Sequence, residues 1–229
     1  MKKDKNKHRL YVDMDGTLAV FKKVDTLEKL YEKGYFENLE PFEKVVNAIK
    51  IIKQERPEID VHILSSVLTD SKYALKEKNA WLDRYLPEID EEHRKFVPCG
   101  SDKKEHIKDL SPEDSLLDDY TNNLLSWEPP AKGIKLLNNI NHTRGTWTSD
   151  RVRFDRDPDE LAEQICNIVE GIENVYDISP QQEAYFVENG TLRRNSVIIT
   201  GADADVDKSI KNSNYWETSK VNAERGSER

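Results

Sequence analysis

Two carboxylates stand one residue apart in the stretch "DMDGT", directly after the apolar run "LYV". Asp13 ends that run, and Asp15 lies in the turn that Gly16 continues. A carboxylate can attack phosphorus and form an aspartyl phosphate, which divides one difficult hydrolysis into two easier steps. Asp13 is placed to be this nucleophile, and Asp15 to protonate the leaving oxygen and later to activate water. The alternative is a purely structural aspartate that caps the turn.

A second pair of carboxylates, Asp118 and Asp119, follows the apolar run "SLL". An anionic nucleophile is repelled by a phosphate, because two like unit charges about 4 Å apart cost about 4 kcal/mol at an effective dielectric of roughly 20. The chemistry therefore needs a cation, and hard oxygen ligands favour Mg²⁺. The alternative for this pair is an exposed acidic turn, which is weakened because paired carboxylates end two apolar runs.

Three further side chains could bind the phosphate. Ser65 and Ser66 follow "HIL" and offer hydroxyl donors, although serine is common where strands end. Lys103, in "GSDKKEH", could neutralise both the phosphate and the nucleophile. Lys104 and Lys108 are nearby alternatives, and each of these lysines could simply be solvated.

Short apolar runs alternate with amphipathic segments along most of the chain. This alternation predicts an α/β fold, in which helices cover both faces of a parallel sheet. Ligands bind such sheets beyond the carboxyl ends of the strands, where Asp13, Ser65 and Asp118 would lie. The predicted strands are 9–13, 61–64, 96–99, 115–118 and 133–137, and the predicted helices are 41–55, 70–86, about 102–110 and 157–173.

The last predicted helix has the clearest start. Asp157 can cap it, Pro158 fits its first turn, and Glu160 completes a capping-box spacing. The apolar stripe of this helix consists of Leu161, Ile165, Ile168, Val169 and Ile172. We place a domain boundary after residue 173, which leaves 174–229 as an appendage with a hairpin around Asn189-Gly190 and a disordered end.

Composition limits the class of protein. A net charge of −9 provides no basic excess to displace counterions, so we expect no nucleic-acid polymer as a partner. No run approaches the roughly 20 apolar residues of a membrane helix, and the basic N-terminus lacks the apolar core of a secretory signal. We therefore expect a cytoplasmic protein without membrane contact. Cys99 and Cys166 are far apart, which fits two buried or half-buried thiols in a reducing compartment.

Taken in order, "DMDGT", "ILSS", "GSDK" and "LLDD" resemble the four motifs of the haloacid dehalogenase (HAD) superfamily of phosphohydrolases. The resemblance covers about residues 8–170. Within the superfamily, "YVDMDGTLAVF", "GYFENLEPFEKVVNAIKII" and "LLDDYTNNLLSW" are similar to the type C cytosolic 5′(3′)-deoxyribonucleotidases, and "GIKLLNNINHTRGTW" is similar to their bacterial relatives. The resemblance implies a HAD-like Rossmannoid domain over 1–173, with a small, reduced helical cap inserted at about 18–41.

The resemblance also implies metal ligands. It assigns Asp13 as nucleophile and Asp15 as general acid/base. Asp13, the backbone carbonyl of Asp15, and Asp118 would hold Mg²⁺, with Asp119 as a ligand through water or as a supporting group.

Phosphate and substrate contacts follow from the same resemblance. Ser65 and Lys103 take the positions of the second-motif hydroxyl and the third-motif lysine, and Ser66 is a further phosphate ligand. In family members the places of Phe21, Tyr35 and Phe36 contact the nucleobase, to which aromatic stacking is suited. Ordinary packing inside a small cap is the alternative for these three rings.

The chain departs from the family pattern at two places that concern the substrate. Its cap insert is short, and Tyr120 stands where eukaryotic members have an arginine. We expect a Mg²⁺-dependent phosphomonoesterase, specifically a 5′-nucleotidase acting on (deoxy)nucleoside monophosphates. The alternatives are a phosphatase for a sugar phosphate or another small metabolite, and a catalytically silent member whose C-terminal tail binds a protein. A homodimer is a further expectation, because a second subunit could complete the cap; the C-terminal tail is the alternative for this role.

Overall fold

The computed structural model describes residues 8–21, 24–138, 140–141, 147 and 149–172. Its strands are β1 His8–Val12, β2 Ile59–Val67, β3 Arg94–Pro98, β4 Asp114–Asp118, β5 Lys132–Leu137 and β6 Arg151–Arg153. Its α-helices are α1 Glu43–Glu55, α2 Ala74–Tyr85, α3 Thr121–Trp127 and α4 Pro158–Val169. The strands form one parallel sheet in the order β3-β2-β1-β4-β5-β6, which confirms the predicted α/β fold.

Helices cover both faces of this sheet. On one face α1, α2 and α4 bury apolar residues such as Ile49, Trp81 and Ile165 in one cluster with apolar residues of β1, β2, β5 and β6. On the other face α3 places Leu124 and Trp127 beside Tyr11 and Leu64, in a smaller cluster. Because both faces are covered, the central strands are apolar along most of their length.

The strand order reverses between β1 and β4, and this reversal determines where polar groups meet. The chain runs from β1 to β2 and β3 on one side, and then returns to place β4 on the other side of β1. Val12 pairs with Leu117, so the residues that follow these two positions emerge side by side. Open α/β sheets bind their ligands at this kind of switch point.

Several local predictions differ from the structure. The helix predicted at about 102–110 is only a short 3-10 helix, Lys103–His106, because the backbone becomes extended at Ile107 and left-handed at Asp109. Ser65 and Ser66 lie inside β2, which continues to Val67, instead of following the strand.

The end of α4 was also predicted wrongly. The helix ends at Val169, so Ile172 is 54% exposed and contributes nothing to the stripe, whereas the other four stripe residues are buried. Asp157 is the N-cap residue and Pro158 begins the helix, but the Asp157 side chain makes no capping hydrogen bond. Cys166 is buried as expected, but Cys99 is exposed, and both thiols are free.

The segment expected to form the cap leaves the core after Ala19 and returns at Pro41, and these two residues form a β-bridge. Its described part contains one 3-10 helix, Leu27–Tyr31, with no buried residue. The buried carboxylate of Glu77 on α2 accepts the backbone N–H groups of Gly34 and Phe36, at 2.5 and 3.1 Å. Glu77 is thus one of several α2 side chains, with Trp81 and Arg84, that hold this segment.

The predicted appendage, 174–229, and its hairpin around Asn189-Gly190 lie outside the described residues. Among the helices that the structure describes, none is long and apolar enough to cross a membrane.

Candidate active site

The carboxyl ends of β1 and β4 bring Asp13 and Asp118 together. The N–H of Asp13 donates to the Leu117 carbonyl at 2.9 Å, which continues the strand pairing by one residue. The ammonium of Lys103 lies between the two carboxylates, 2.6 Å from Asp13 Oδ1 and 2.7 Å from Asp118 Oδ2. The Lys104 ammonium instead donates to the Pro129 carbonyl, so of these two lysines it is Lys103 that contacts the carboxylates.

Burial dominates the electrostatics of this trio. It raises the pKa of Asp13 to about 8; Lys103 opposes the rise, and the carboxylates of Asp118 and Asp15 add to it. Burial alone would lower the pKa of Lys103, but the charges of Asp118 and Asp13 outweigh it and raise that pKa. Keeping the Asp13 carboxylate ionised, as a nucleophile must be, therefore costs desolvation free energy. Added positive charge would reduce that cost.

Asp119, the residue after Asp118, accepts hydrogen bonds from neutral side chains. Its Oδ2 accepts hydrogen bonds from the side-chain amides of Asn138 and Asn141, at 2.9 and 2.6 Å. Thr17 accepts the Asp119 N–H at 3.1 Å. Burial and the negative charge of Asp118 raise the pKa of Asp119 to about 6, against the effect of these amides.

Gly16 makes room for Asp119. Its φ of +86° lies in the left-handed region that residues with a Cβ avoid. A Cβ at this position would lie 2.3 Å from Asp119 Oδ2, far inside van der Waals contact. The turn of "DMDGT" therefore requires glycine for its backbone conformation and for its distance to the second acidic pair.

Asp15 is held by a lysine that the sequence analysis did not select. The ammonium of Lys78, fully buried on α2, lies 2.5 Å from Asp15 Oδ2 and donates to Ser65 Oγ at 3.1 Å. It also donates to the Ser66 carbonyl at 2.6 Å. Lys78 thus links the first-strand turn to β2, and it brings Ser65 to the site by its hydroxyl and Ser66 by its backbone.

The second oxygen of Asp15 is available to a ligand. Asp15 Oδ1 is buried and has no hydrogen-bond partner among the described residues. A buried acceptor without a partner costs free energy, typically about 1–3 kcal/mol. An oxygen in this state is suited to exchange a proton with a substrate oxygen.

The donor set fits a hard divalent cation. Asp13, Asp118 and Asp119 are buried, and one oxygen from each lies within 4.8 Å of the others. With Asp15 nearby, the site contains four carboxylates, whereas Lys103 and Lys78 supply two ammonium groups in direct contact with them. The site therefore has more negative than positive charge. Oxygen-only donors with excess negative charge suit Mg²⁺.

A cluster of aromatic side chains from the cap segment stands beside Asp15. Tyr35 meets Phe36 edge to face with ring centroids 5.0 Å apart, and Phe21 lies parallel to Phe36 at 6.4 Å. Lys78 Nζ lies 5.0 Å from the centre of the Phe36 ring. Burial and, next, the negative charge of Asp15 raise the pKa of Tyr35. The three predicted substrate residues are therefore together and next to the acidic pair.

The family model described as 5′ nucleotidase, deoxy (pyrimidine), cytosolic type C protein matches residues 20–157. The chain belongs to this family. It is accordingly a HAD-like 5′-nucleotidase, a phosphoric monoester hydrolase, as the sequence resemblance indicated. A search of curated proteins found no match to the chain.

The match to the nucleotidase family begins after "DMDGT", and the structure connects that stretch to the matched region. Asp13 contacts Lys103 and Asp118, and Asp15 contacts Lys78, all of which lie within residues 20–157. The two N-terminal carboxylates thus belong to the same site as the matched residues.

A cavity of about 450 Å³ lies in the cap segment of the nucleotidase. Tyr35 lines it, whereas none of the four site carboxylates does. Its other lining residues are Val20, Val24, Asp25, Lys29, Asn38, Leu39 and Glu40. Tyr35 therefore lines this cavity and is also near enough to the acidic site for the charge of Asp15 to raise its pKa.

Proposed function

We propose that this chain is a Mg²⁺-dependent 5′-nucleotidase that hydrolyses (deoxy)nucleoside monophosphates through an aspartyl phosphate on Asp13. The observation that carries the proposal is the Asp13 carboxylate itself. It stands at the carboxyl end of β1, in contact with Lys103 and grouped with Asp118 and Asp119. The proposal is supported because a carboxylate, a lysine ammonium and a set of hard ligands lie together at the carboxyl ends of β1 and β4, and phosphoryl transfer needs all three kinds of group.

In the first step an Asp13 oxygen attacks the phosphorus. The new bond joins Asp13 to phosphorus, and the bond from phosphorus to the ester oxygen of the nucleoside breaks. Asp15 gives its proton to that oxygen, so the nucleoside leaves as a neutral alcohol. Lys78 positions Asp15 by holding Oδ2, which leaves Oδ1 to face the leaving group.

In the second step a water molecule attacks the phosphorus of the aspartyl phosphate. Asp15, now ionised, takes the proton from this water as general base. The bond between Asp13 and phosphorus breaks, inorganic phosphate leaves, and the Asp13 carboxylate is restored. Lys103 and the Ser65 hydroxyl supply positive charge and a hydrogen bond for the phosphate oxygens in both steps, with Ser66 as a further phosphate ligand.

Mg²⁺ would be held by Asp13, Asp118, Asp119 and the backbone carbonyl of Asp15. When bound, it would neutralise charge between the nucleophile and the phosphate. The support for this assignment is the donor set, whose carboxylates are buried and exceed the neighbouring cations in charge.

The aromatic cluster is proposed as the base-binding surface. Phe36 is 3% exposed and supports the other two rings, while Phe21 and Tyr35 are half-buried and offer faces for stacking. The family description names deoxy and pyrimidine substrates and a cytosolic location, and we extend both to this chain as proposals. The substrate is a small molecule, and no nucleic-acid polymer is required.

Phosphate release from a panel of nucleoside monophosphates and sugar phosphates tests this proposal, measured with Mg²⁺ and with EDTA. We expect release from deoxynucleoside monophosphates that EDTA abolishes. Release from sugar phosphates alone would keep the chemistry and reject the nucleotide, an outcome that the short cap and Tyr120 make worth testing. Full activity in EDTA would overturn the assignment of the metal.

A further inference from the structure

A second group of metal-binding side chains lies outside the candidate active site. It consists of Asp60 and His62 on β2, and His93 at the end of the 3-10 helix Glu91–His93 that precedes β3. Asp60 and His62 are two residues apart on one strand, so their side chains share a face of the sheet. They stand near the amino end of β2, whereas Ser65, which contacts the site lysine Lys78, stands near its carboxyl end.

The distances between the donor atoms suit one small cation. His62 Nε2 lies 3.2 Å from Asp60 Oδ2, and His93 Nε2 lies 3.5 Å from Asp60 Oδ1. Zn²⁺ bonds of about 2.0–2.2 Å in tetrahedral geometry place neighbouring donors about 3.4 Å apart. The third separation, between the two imidazoles, is within 4.8 Å. A small side-chain adjustment would therefore complete the coordination.

The partner of His93 fixes which of its nitrogens can bind a cation. Its Nδ1 lies 2.6 Å from Asp90 Oδ1, and a carboxylate can only accept at this position. Nδ1 therefore donates to Asp90, which leaves Nε2, on the side of Asp60, as the nitrogen that can bind a cation once it is deprotonated. A carboxylate behind a metal-binding imidazole is the arrangement that orients such ligands in metalloproteins.

His62 supplies an independent observation. Its Nε2 atom is buried and faces the Asp60 carboxylate, with Oδ2 3.2 Å away. The ring is held in this orientation by its neighbours, since its centroid lies 5.3 Å from that of Tyr11 and 4.8 Å from that of His93. A buried imidazole nitrogen that is directed toward a carboxylate, next to a second imidazole, is placed to share a cation with them.

We propose that Asp60, His62 and His93 bind a divalent transition-metal ion of the Zn²⁺ class, at a site separate from the catalytic carboxylates. Two imidazoles with one carboxylate favour Zn²⁺ over Mg²⁺, which prefers oxygen ligands alone. The three side chains are 21–26% exposed, so the ion can enter and water can take the fourth position. The bound ion joins β2 to the segment that leads into β3, and its role is structural.

Titration of the full-length, metal-free protein with Co²⁺ tests this site, with Mg²⁺ in excess to occupy the catalytic carboxylates. We expect one equivalent to give the intense visible absorption of four-coordinate Co²⁺, and Zn²⁺ to displace it. His62→Gln and His93→Gln should each remove this absorption. His8→Gln is the matched control, because His8 stands at the same end of the sheet but pairs with Glu113.

Asp90→Asn probes the site without removing a ligand. Asparagine can still cap the 3-10 helix, but it lacks the charge behind His93, so Co²⁺ affinity should fall by about 10–100-fold. Circular dichroism of every variant separates loss of binding from loss of fold. No four-coordinate absorption in the wild-type protein, or absorption unchanged in both His62→Gln and His93→Gln, would overturn the proposal. A near-ultraviolet thiolate band would also overturn it, by identifying the exposed Cys99 as the ligand.

Discussion

Lys78 determines how Asp15 can act. Its ammonium holds one oxygen of Asp15 and reaches β2 through Ser65 and the Ser66 carbonyl. A general acid whose orientation is fixed in this way contributes typically about 10²–10⁴-fold to the rate. In the proposed mechanism Lys78 is thus a positioning residue for the proton transfer, and its removal should affect turnover more than substrate affinity.

Lys78→Met keeps the length of the side chain and removes its charge. We expect kcat to fall by about 10²-fold with a smaller change in KM, because Asp15 loses the contact that directs its free oxygen. Steady-state phosphate release measures both constants. Lys76→Met is the control, since Lys76 is exposed on the same helix and should leave both unchanged. Equal losses in the two variants would argue against a positioning role.

Gly16 and Gly100 form a natural pair for testing the turn beside Asp119. Both have positive φ, +86° and +85°, so alanine at either position costs about 1–2 kcal/mol of backbone strain. Of these two positions, only at Gly16 would the new Cβ also meet a side chain, at 2.3 Å from Asp119 Oδ2, whereas no described residue lies within 4 Å of a Cβ at Gly100. We expect Gly16→Ala to lose Mg²⁺-dependent activity and Gly100→Ala to lose only stability. Thermal unfolding and Mg²⁺ titration of activity distinguish the two effects.

A buried carboxylate makes one of the connections between the cap segment and α2. Glu77 accepts from Gly34 and Phe36, and the second of these belongs to the aromatic cluster. Glu77→Gln replaces one acceptor oxygen by an NH₂ group that faces a donor, which costs about 1–3 kcal/mol. We expect lower thermal stability and a higher KM for nucleotide, with kcat less affected. Glu88→Gln is the control, because Glu88 is exposed and lies just after the end of α2. A normal KM in Glu77→Gln would separate the aromatic cluster from substrate binding.

The predicted elements that succeeded share a physical property. Strands β1, β2 and β4 are buried apolar runs, and the rule that ligands bind beyond strand ends located Asp13 and Asp118 without any contact information. Helix α3 and strand β6 were not predicted, because seven and three residues are too few for a periodic signal.

The missed site residues had weaker signals. Lys78 lies four residues after Ala74 and four before Leu82, on the buried stripe of α2, so its burial and its need for a partner could have been inferred. Asn138 directly follows β5, so the rule that ligands bind beyond strand ends applied to it as well as to the aspartates. Asn141 required the loop conformation, which the sequence pattern does not specify.

The acidic site makes the stability of the whole molecule depend on pH and metal. The pKa values of Asp13, about 8, and Asp119, about 6, exceed the roughly 3.9 of an unfolded aspartate. Between about pH 4 and 8 the folded chain therefore binds more protons than the unfolded chain, so this contribution to stability decreases as pH rises. In metal-free protein we expect Tm to fall between pH 6 and pH 8.

Thermal unfolding of wild type and Asp13→Asn, each with EDTA and with Mg²⁺, checks this expectation. The fall in Tm should be smaller in Asp13→Asn, which lacks the group with the larger shift. It should also be smaller with Mg²⁺, because a bound cation favours the ionised carboxylates. For a domain of this size, about 1 kcal/mol corresponds to about 2–4 °C. A steeper fall in Asp13→Asn than in wild type would contradict this account of the charges.

The most direct measurement of the central claim is the rate of phosphate release by Asp13→Asn, with saturating Mg²⁺ and a circular dichroism spectrum to establish its fold. The substitution keeps the shape of the side chain and removes the nucleophilic oxygen anion. We predict that kcat falls by at least about 10³-fold, because the covalent step is lost. A folded Asp13→Asn protein that releases phosphate at a rate close to wild type would contradict the assignment of Asp13 as nucleophile.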